Sequence, residues 1–369
     1  MKTTIILLVL LCTAMSAHAK WEFISIKNRL GLEARTDFEL TDASIKAIWV
    51  PEISLKHELP RAITLQGEYS LDASYTLSRI EDSIGDTDFE QSLKLSHYRY
   101  WAGVSDPRSE ARIGLQRLSF GSAQILRPLQ WFDRVDPLDP NQSTKGVTAL
   151  LARHYFPSSA NIWLWGILAN GDTKGLEFMP SPDKSLEFGG RIQHPIPNGE
   201  VGLSFHERQV EIAGTEHLPR EWRAGFDARF DSFAGIWLES SVSMTDAYGT
   251  EPRNTVWSAT LGADYTIGIG NGIYCLAETN LTRYERAIIA GTDDLSAVSA
   301  LMISYPLGLL DNLILLNMYD YQGESSLHSL IFRRTYDYLS LELGVTSDFN
   351  TRFGGRDNRA LFLGINYHL

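Results

Sequence analysis

The chain has 369 residues, with 33 Lys and Arg against 45 Asp and Glu and a formal net charge of −12. That acidity argues against nucleic acid as a partner. Beyond the leader a single cysteine, Cys275, excludes an intrachain disulfide framework, and no apolar run is long enough for a membrane-spanning helix.

Residues 1–19 read as a secretory signal: Lys2 is the basic segment, Ile5 to Leu11 the apolar core, and Ala17-His18-Ala19 a small-residue cleavage site. Leu11 before Cys12 stands where a lipoprotein box needs a small residue. Export with cleavage after Ala19 leaves one domain, 20–369. Little chain separates Lys20 from the first strand, which speaks against a plugged, energy-coupled receptor.

The period of the mature chain is two. From Ile63 to Leu77 apolar residues alternate strictly with Thr64, Gln66, Glu68, Ser70, Asp72, Ser74 and Thr76. That run exceeds the usual soluble strand. Leu361, Leu363, Ile365, Tyr367 and Leu369 repeat the pattern at the end of the sequence. Strands are predicted over 22–36, 43–57, 61–79, 89–104, 110–120, 146–156, 161–170, 184–194, 200–210 and 220–231. They continue over 233–244, 255–266, 271–285, 295–305, 312–321, 326–336, 338–347 and 359–369. Short connections alternate with long ones, as in an all-β, transmembrane, antiparallel up-and-down barrel of about 18 strands, with 16 the alternative count. Gly268 to Gly272 is then a hairpin turn, not a phosphate loop. Trp101, Trp163, Trp165, Trp237, Tyr284, Tyr305 and Tyr338 near strand ends are expected in the interfacial girdles.

A charge facing lipid is costly, so alternating charges should face the lumen. This names Glu68, Asp72, Arg112, Arg191, Arg208, Arg223, Asp227 and Arg229 as pore wall, with Glu239, Asp264, Glu278 and Glu342 on later strands. Two readings of the arginines stand side by side: a transverse field across a water-filled pore, or cross-strand pairs that fill the interior. Strands 146–156, 161–170, 295–305 and 312–321 are apolar on both faces, suited to a subunit interface or to an inward loop.

The stretch 121–145 is the longest connection. Its prolines forbid a ladder or a helix, yet it carries Ile125, Leu126, Leu129, Trp131, Phe132, Val135 and Leu138. It is predicted to fold into the lumen and constrict it through Arg127, Asp133, Arg134, Asp136 and Asp139. Salt bridges of these acids to Arg127 and Arg134 are preferred to a Ca²⁺ site.

In its position between the fifth and sixth strands this loop resembles the constriction loop of general porins. The run Gly114-x-Gln116-x-Leu118-Ser119-Phe120-Gly121, then Ile125-Leu126-x-Pro128-x-x-Trp131, then Gly146-Val147-x-Ala149-Leu150, looks like a segment of alginate-export-type outer-membrane barrels. That resemblance implies an eighteen-stranded pore. Tyr367, third from the end of a final amphipathic strand, resembles the assembly signal of such barrels.

The expected function is a bacterial outer-membrane, porin-like channel for passive passage of small or charged hydrophilic solutes. Its expected partners are outer-membrane lipid, lipopolysaccharide and the barrel-assembly machinery, with homo-oligomerisation open. The alternatives are a non-conducting scaffold or sheath barrel for an export or electron-transfer partner, and an outer-membrane hydrolase. No H-E-x-x-H or G-x-S-x-G motif occurs, and Ser204 and His206 share an inward face, away from lipid. No enzyme activity, metal or cofactor is expected.

Overall fold

The structure, a computed structural model, describes residues 23–37, 42–81, 87–134, 144–212, 214, 216–246, 254–285, 295–350 and 356–368. The leader with its cleavage site, Asp136 and Asp139 lie outside these residues. Eighteen strands follow in chain order. They begin with β1 (Phe23–Asp37), β2 (Ala43–Leu59), β3 (Ile63–Glu81), β4 (Thr87–Ser105), β5 (Ser109–Gln116), β6 (Val147–Tyr155), β7 (Asn161–Leu168), β8 (Leu186–Ile196) and β9 (Gly199–Gln209). They continue with β10 (Arg220–Asp231), β11 (Gly235–Thr245), β12 (Asn254–Ile267), β13 (Ile273–Glu285), β14 (Leu295–Pro306), β15 (Asp311–Asp320), β16 (Ser325–Thr335), β17 (Leu339–Asn350) and β18 (Arg356–His368). Each pairs antiparallel with its neighbours in sequence, and β1 pairs with β18, so the sheet closes with no free edge.

The alternation read from the sequence becomes two faces. On β10, Glu221, Arg223, Gly225 and Asp227 are buried inside, while Ala224 and Phe230 are exposed outside. The outer face displays Ile113, Leu150, Leu164, Leu203, Leu261 and Leu301, each at least 40% exposed. An apolar belt of this kind is stable only against lipid. No described helix is long and apolar enough to cross a membrane, which says nothing of crossing by strands.

Strand height is uneven. β3 and β4 run for 19 residues each, β5 and β7 for 8. The low rim lies where the chain leaves the ladder after Gln116. The strand predicted to 120 therefore stops four residues early. Leu118 and Phe120, 1% and 6% exposed, turn into the lumen instead. Between Ser70 and Leu71 the β3–β4 register shifts by a bulge, so Tyr98 and Arg99 follow one another where alternation would skip. Arg99 stacks its guanidinium 4.2 Å over the Tyr98 ring and donates to Thr144 O at 3.0 Å.

The core is inside the barrel, an arrangement the girdle expectation did not foresee. Leu118, Phe120, Leu129, Trp131 and Phe132 of the loop pack with Val147, Ala149 and Leu151 of β6 and Trp165 and Ile167 of β7. A second cluster joins Ala123, Trp237 and Leu276, with Ile125, Tyr274 and Met302 against it. Trp165 and Trp237, 3% and 1% exposed, are thus the bed of the loop and not girdle residues. The two-faced apolarity of β6, β7 and β14 has the same cause: one face meets lipid, the other the loop.

Candidate pore and its constriction loop

Two carboxylates hold the loop. After Gly121, whose φ of 106° suits a residue without Cβ, the chain runs over β11–β13. Any side chain at Gly121 would fall on the Glu239 carboxylate. Glu239 accepts the Ala123 N–H at 2.9 Å on one oxygen and the Leu129 N–H at 2.7 Å on the other. Glu278 accepts Gln124 N–H at 2.7 Å, Ile125 N–H at 2.9 Å and Leu126 N–H at 2.6 Å, and Trp237 donates its indole N–H to it at 2.9 Å. A loop without regular structure must place its amides somewhere when buried. Here the wall supplies the acceptors, and charge-assisted bonds of this kind are the strong ones. Thr260 Oγ1 donates to Leu126 O at 2.7 Å, and Trp131 Nε1 to Ser241 Oγ at 3.1 Å.

A second inward loop, between β7 and β8, braces the first. Leu176 N–H donates to Gln130 O at 3.1 Å, and Gly175 lies against that carbonyl with φ 48°. Beneath it Lys174 pairs with Glu187 at 2.8 Å and with Glu177 at 3.3 Å. Glu177 also takes Arg208 and Arg223, each at 3.2 Å, and Glu221 takes Arg208 at 2.7 Å and Arg223 at 2.6 Å. Sequence reasoning missed this second loop, whose Asp, Gly and Pro read as an ordinary external turn. Lys174 and Glu177, well away from any strand, were the available signal.

The predicted wall residues divide. Arg191 forks onto Asp227 at 2.5 and 2.9 Å, and both are at most 3% exposed. With Arg208 and Arg223 they form the buried footing of the loops, so among the described residues these arginines pair as filler and do not face water. Arg112 pairs with Glu110 and lies 4.3 Å over the Trp101 ring. Arg229 reaches Asp231 at 3.0 Å and Asp264 at 3.5 Å. Glu68 accepts Trp101 Nε1 at 3.2 Å, and Asp72 faces a cavity of about 740 Å³ with Lys94, Tyr98 and Arg134.

The predicted loop pairs are redrawn. Asp133, 2% exposed, binds Arg117 at 2.6 Å, and neither Arg127 nor Arg134. Arg127 donates back to Ser119 Oγ at 3.1 Å and Phe120 O at 3.0 Å, closing its own turn. Arg134 alone of the three is exposed at the cavity. Ser204 and His206 point inward and are engaged: Ser204 accepts from Arg191 at 3.1 Å, and His206 meets Glu187 at 3.1 Å and Trp165 Nε1 at 3.2 Å. Among the described residues no group of three or more His, Cys, Asp or Glu could hold a metal.

From Ser122 to Phe132 the described hydrogen bonds and core contacts of the loop fall on β6–β14. The remaining wall, β15–β18 and β1–β4, faces the space left over.

No protein-family profile matches the chain, and no curated protein does. Solved structures do. OccAB1 from Acinetobacter baumannii superposes with a TM-score of 0.59 at 8% identity, over 96% of this chain and 99% of that one. Pseudomonas aeruginosa OccK7 (OpdD) gives 0.58 at 9%, over 94% and 98%. An anion-selective porin from Comamonas acidovorans gives 0.50 at 10%, over 94% and 99%. The alginate-export resemblance does not emerge from these comparisons. At such identities the likeness is one of fold, and the fold of this chain is that of the bacterial outer-membrane porins.

Proposed function

We propose that the chain is a bacterial outer-membrane channel through which small hydrophilic solutes pass down their gradients. The observation that carries this reading is the one-sided filling of a closed barrel. From Ser122 to Phe132 the loop is bound to β6–β14, and the wall outside those strands keeps half-exposed charged groups such as Lys46, Glu68 and Asp72. Barrels of about this strand number leave an aqueous channel, and here it would run between the loop and the wall outside β6–β14. Arg134 and the unpaired wall charges of the free half would set ion preference, while Arg127 and Asp133 support the loop that narrows the path. The outer apolar belt would meet lipid and lipopolysaccharide after insertion by assembly machinery. The inward, engaged positions of Ser204 and His206 favour a channel over a rim hydrolase.

The test is single-channel recording of refolded mature protein in a planar bilayer, with a salt gradient. Steady open steps are expected. Folded protein that stays silent would overturn the channel and favour a filled sheath around a partner.

A further inference from the structure

Lumen walls of open barrels are polar because they face water. One sector of this wall is not. The inward row through Glu278 continues as Ala300, Met318 and Leu327, and the next as Leu276, Met302 and Leu316. Ile314 pairs with Ile331 one row further. Since Glu278 grips the loop, these rows face the lumen by register. Leu316 and Ile331 are buried in the bed of the sector, but Ile314, Met318 and Leu327 stay half-exposed. The described hydrogen bonds and core contacts of the loop reach no farther than Met302. Carbon presented to water is unfavourable by about 25 cal/mol per Å², and serine or threonine would remove that cost without disturbing the sheet. The lipid does not require these residues, because they are on the wrong face.

Two charges border the sector. Asp348 stands opposite Leu327 on β17 and is exposed. Arg35 stands opposite Phe362, which itself pairs with Gly344 beside Ile331, and is exposed too. Among the described residues neither makes an ion pair, while Glu33 and Asp37, which flank Arg35, have partners of their own. Two strand spacings and four residues of rise separate the two backbones by about 16 Å. An extended tripeptide spans about 10 Å, and the reach of the Arg and Asp side chains closes the remainder.

We infer that, if the chain conducts as proposed above, its path carries a subsite for short apolar peptides. The carboxylate end lies toward Arg35, the ammonium end toward Asp348, and the side chains lie on Leu327 and Met318 at the ammonium end and on the Phe362 ring over Gly344 between the two charges.

The test uses refolded mature protein in a planar bilayer and reads block of the salt current by three probes: Leu-Leu-Leu, Gly-Gly-Gly, and N-acetyl-Leu-Leu-Leu-amide. Trileucine should block with a dissociation constant at least about tenfold below that of triglycine, since even partial burial of its side chains supplies that factor. The capped peptide should bind more weakly than trileucine. Arg35→Gln and Asp348→Asn should each weaken trileucine severalfold and leave the capped peptide unchanged. The pair Met318→Gln with Leu327→Gln should erase the preference for leucine over glycine. Equal block by trileucine and triglycine in a conducting wild-type pore would overturn the subsite and spare the channel. Capped and free trileucine binding alike would overturn the role of the two charges. Absence of any salt current would overturn the channel reading and this inference with it. The wild-type comparison of three peptides decides even where a variant fails to fold.

Discussion

The two halves of this barrel are built on opposite principles. On β6–β14 the inner wall is a protein core: Trp165, Trp237, Leu276 and Leu151 are at most 3% exposed, and charged groups are there to be consumed by partners. On β15–β18 and β1–β4 the same alternation leaves charged groups such as Lys46, Glu68 and Asp72 half-exposed, beside buried ones such as Glu342 and Arg99. An inward-facing residue in a barrel therefore has no fixed meaning. Arg191 and Lys46 both face inward, yet one is sealed in a bidentate pair and the other is accessible. What differs is whether a loop covers them.

The comparison can be broken first at the footing of the filled half. Asp227→Ala leaves Arg191 buried without its carboxylate, and should lower folding stability in vesicles by about 3–5 kcal/mol, as read by denaturant titration. A change within about 0.5 kcal/mol, the usual range for surface positions, would show that Arg191 finds water and that the half is not sealed.

Next in size is the latch. Glu278→Gln keeps one acceptor oxygen and turns the other group into a donor facing loop amides. A buried N–H deprived of its acceptor costs about 1–3 kcal/mol. The barrel should stay folded while the loop detaches, so single-channel recordings should show larger and noisier open steps. Excising Ser122 to Phe132 carries this to its limit: conductance should rise roughly twofold as the path widens into the space this loop fills, with the loop between β7 and β8 still in place. Unchanged conductance in both would mean the loop does not narrow the path.

On the free half the expectation reverses. Lys46→Glu should leave stability within about 0.5 kcal/mol and shift the reversal potential toward cation preference. A large stability loss with no shift in selectivity would make this half a core like the other.

The smallest effect concerns a turn outside the membrane. Asp106 accepts the backbone N–H groups of Arg108 at 2.7 Å and Ser109 at 2.8 Å, and these bonds hold its carboxyl below the usual range. A lowered folded-state value favours the charged form. Its stabilisation is therefore full above the ordinary carboxylate value of about 4 and is lost as pH falls through the folded-state value. Asp106→Asn should flatten only that acid limb of the stability profile, and an altered limb near neutrality would contradict it.

Much of this architecture was legible in the residues. Strict alternation at Ile63 to Leu77 reports a strand with two different faces, and it does so locally, because successive side chains of a strand point to opposite sides. Strand number, the order of short and long connections, the inward sense of Arg223 and Asp227, and the inward course of an apolar, proline-bearing loop all follow from such local rules. The same rules failed where the chain left the ladder: they carried a strand to 120, past its end at Gln116.

Partner choice was not local. Glu278 meets Gln124 across 154 residues of sequence, and Asp133 takes Arg117 although Arg127 and Arg134 are nearer in the chain. Nothing in Trp165 or Trp237 says whether an indole near a strand end faces the interface or a loop folded back from elsewhere. Sequence by itself determined that there is a barrel, which way its side chains point, and that a loop enters it. Only the tertiary structure decided which half that loop fills, which carboxylates hold it and which inward charges stay free. Burial in a lumen depends on what crosses the space between walls, and the pleat of a strand carries no record of that.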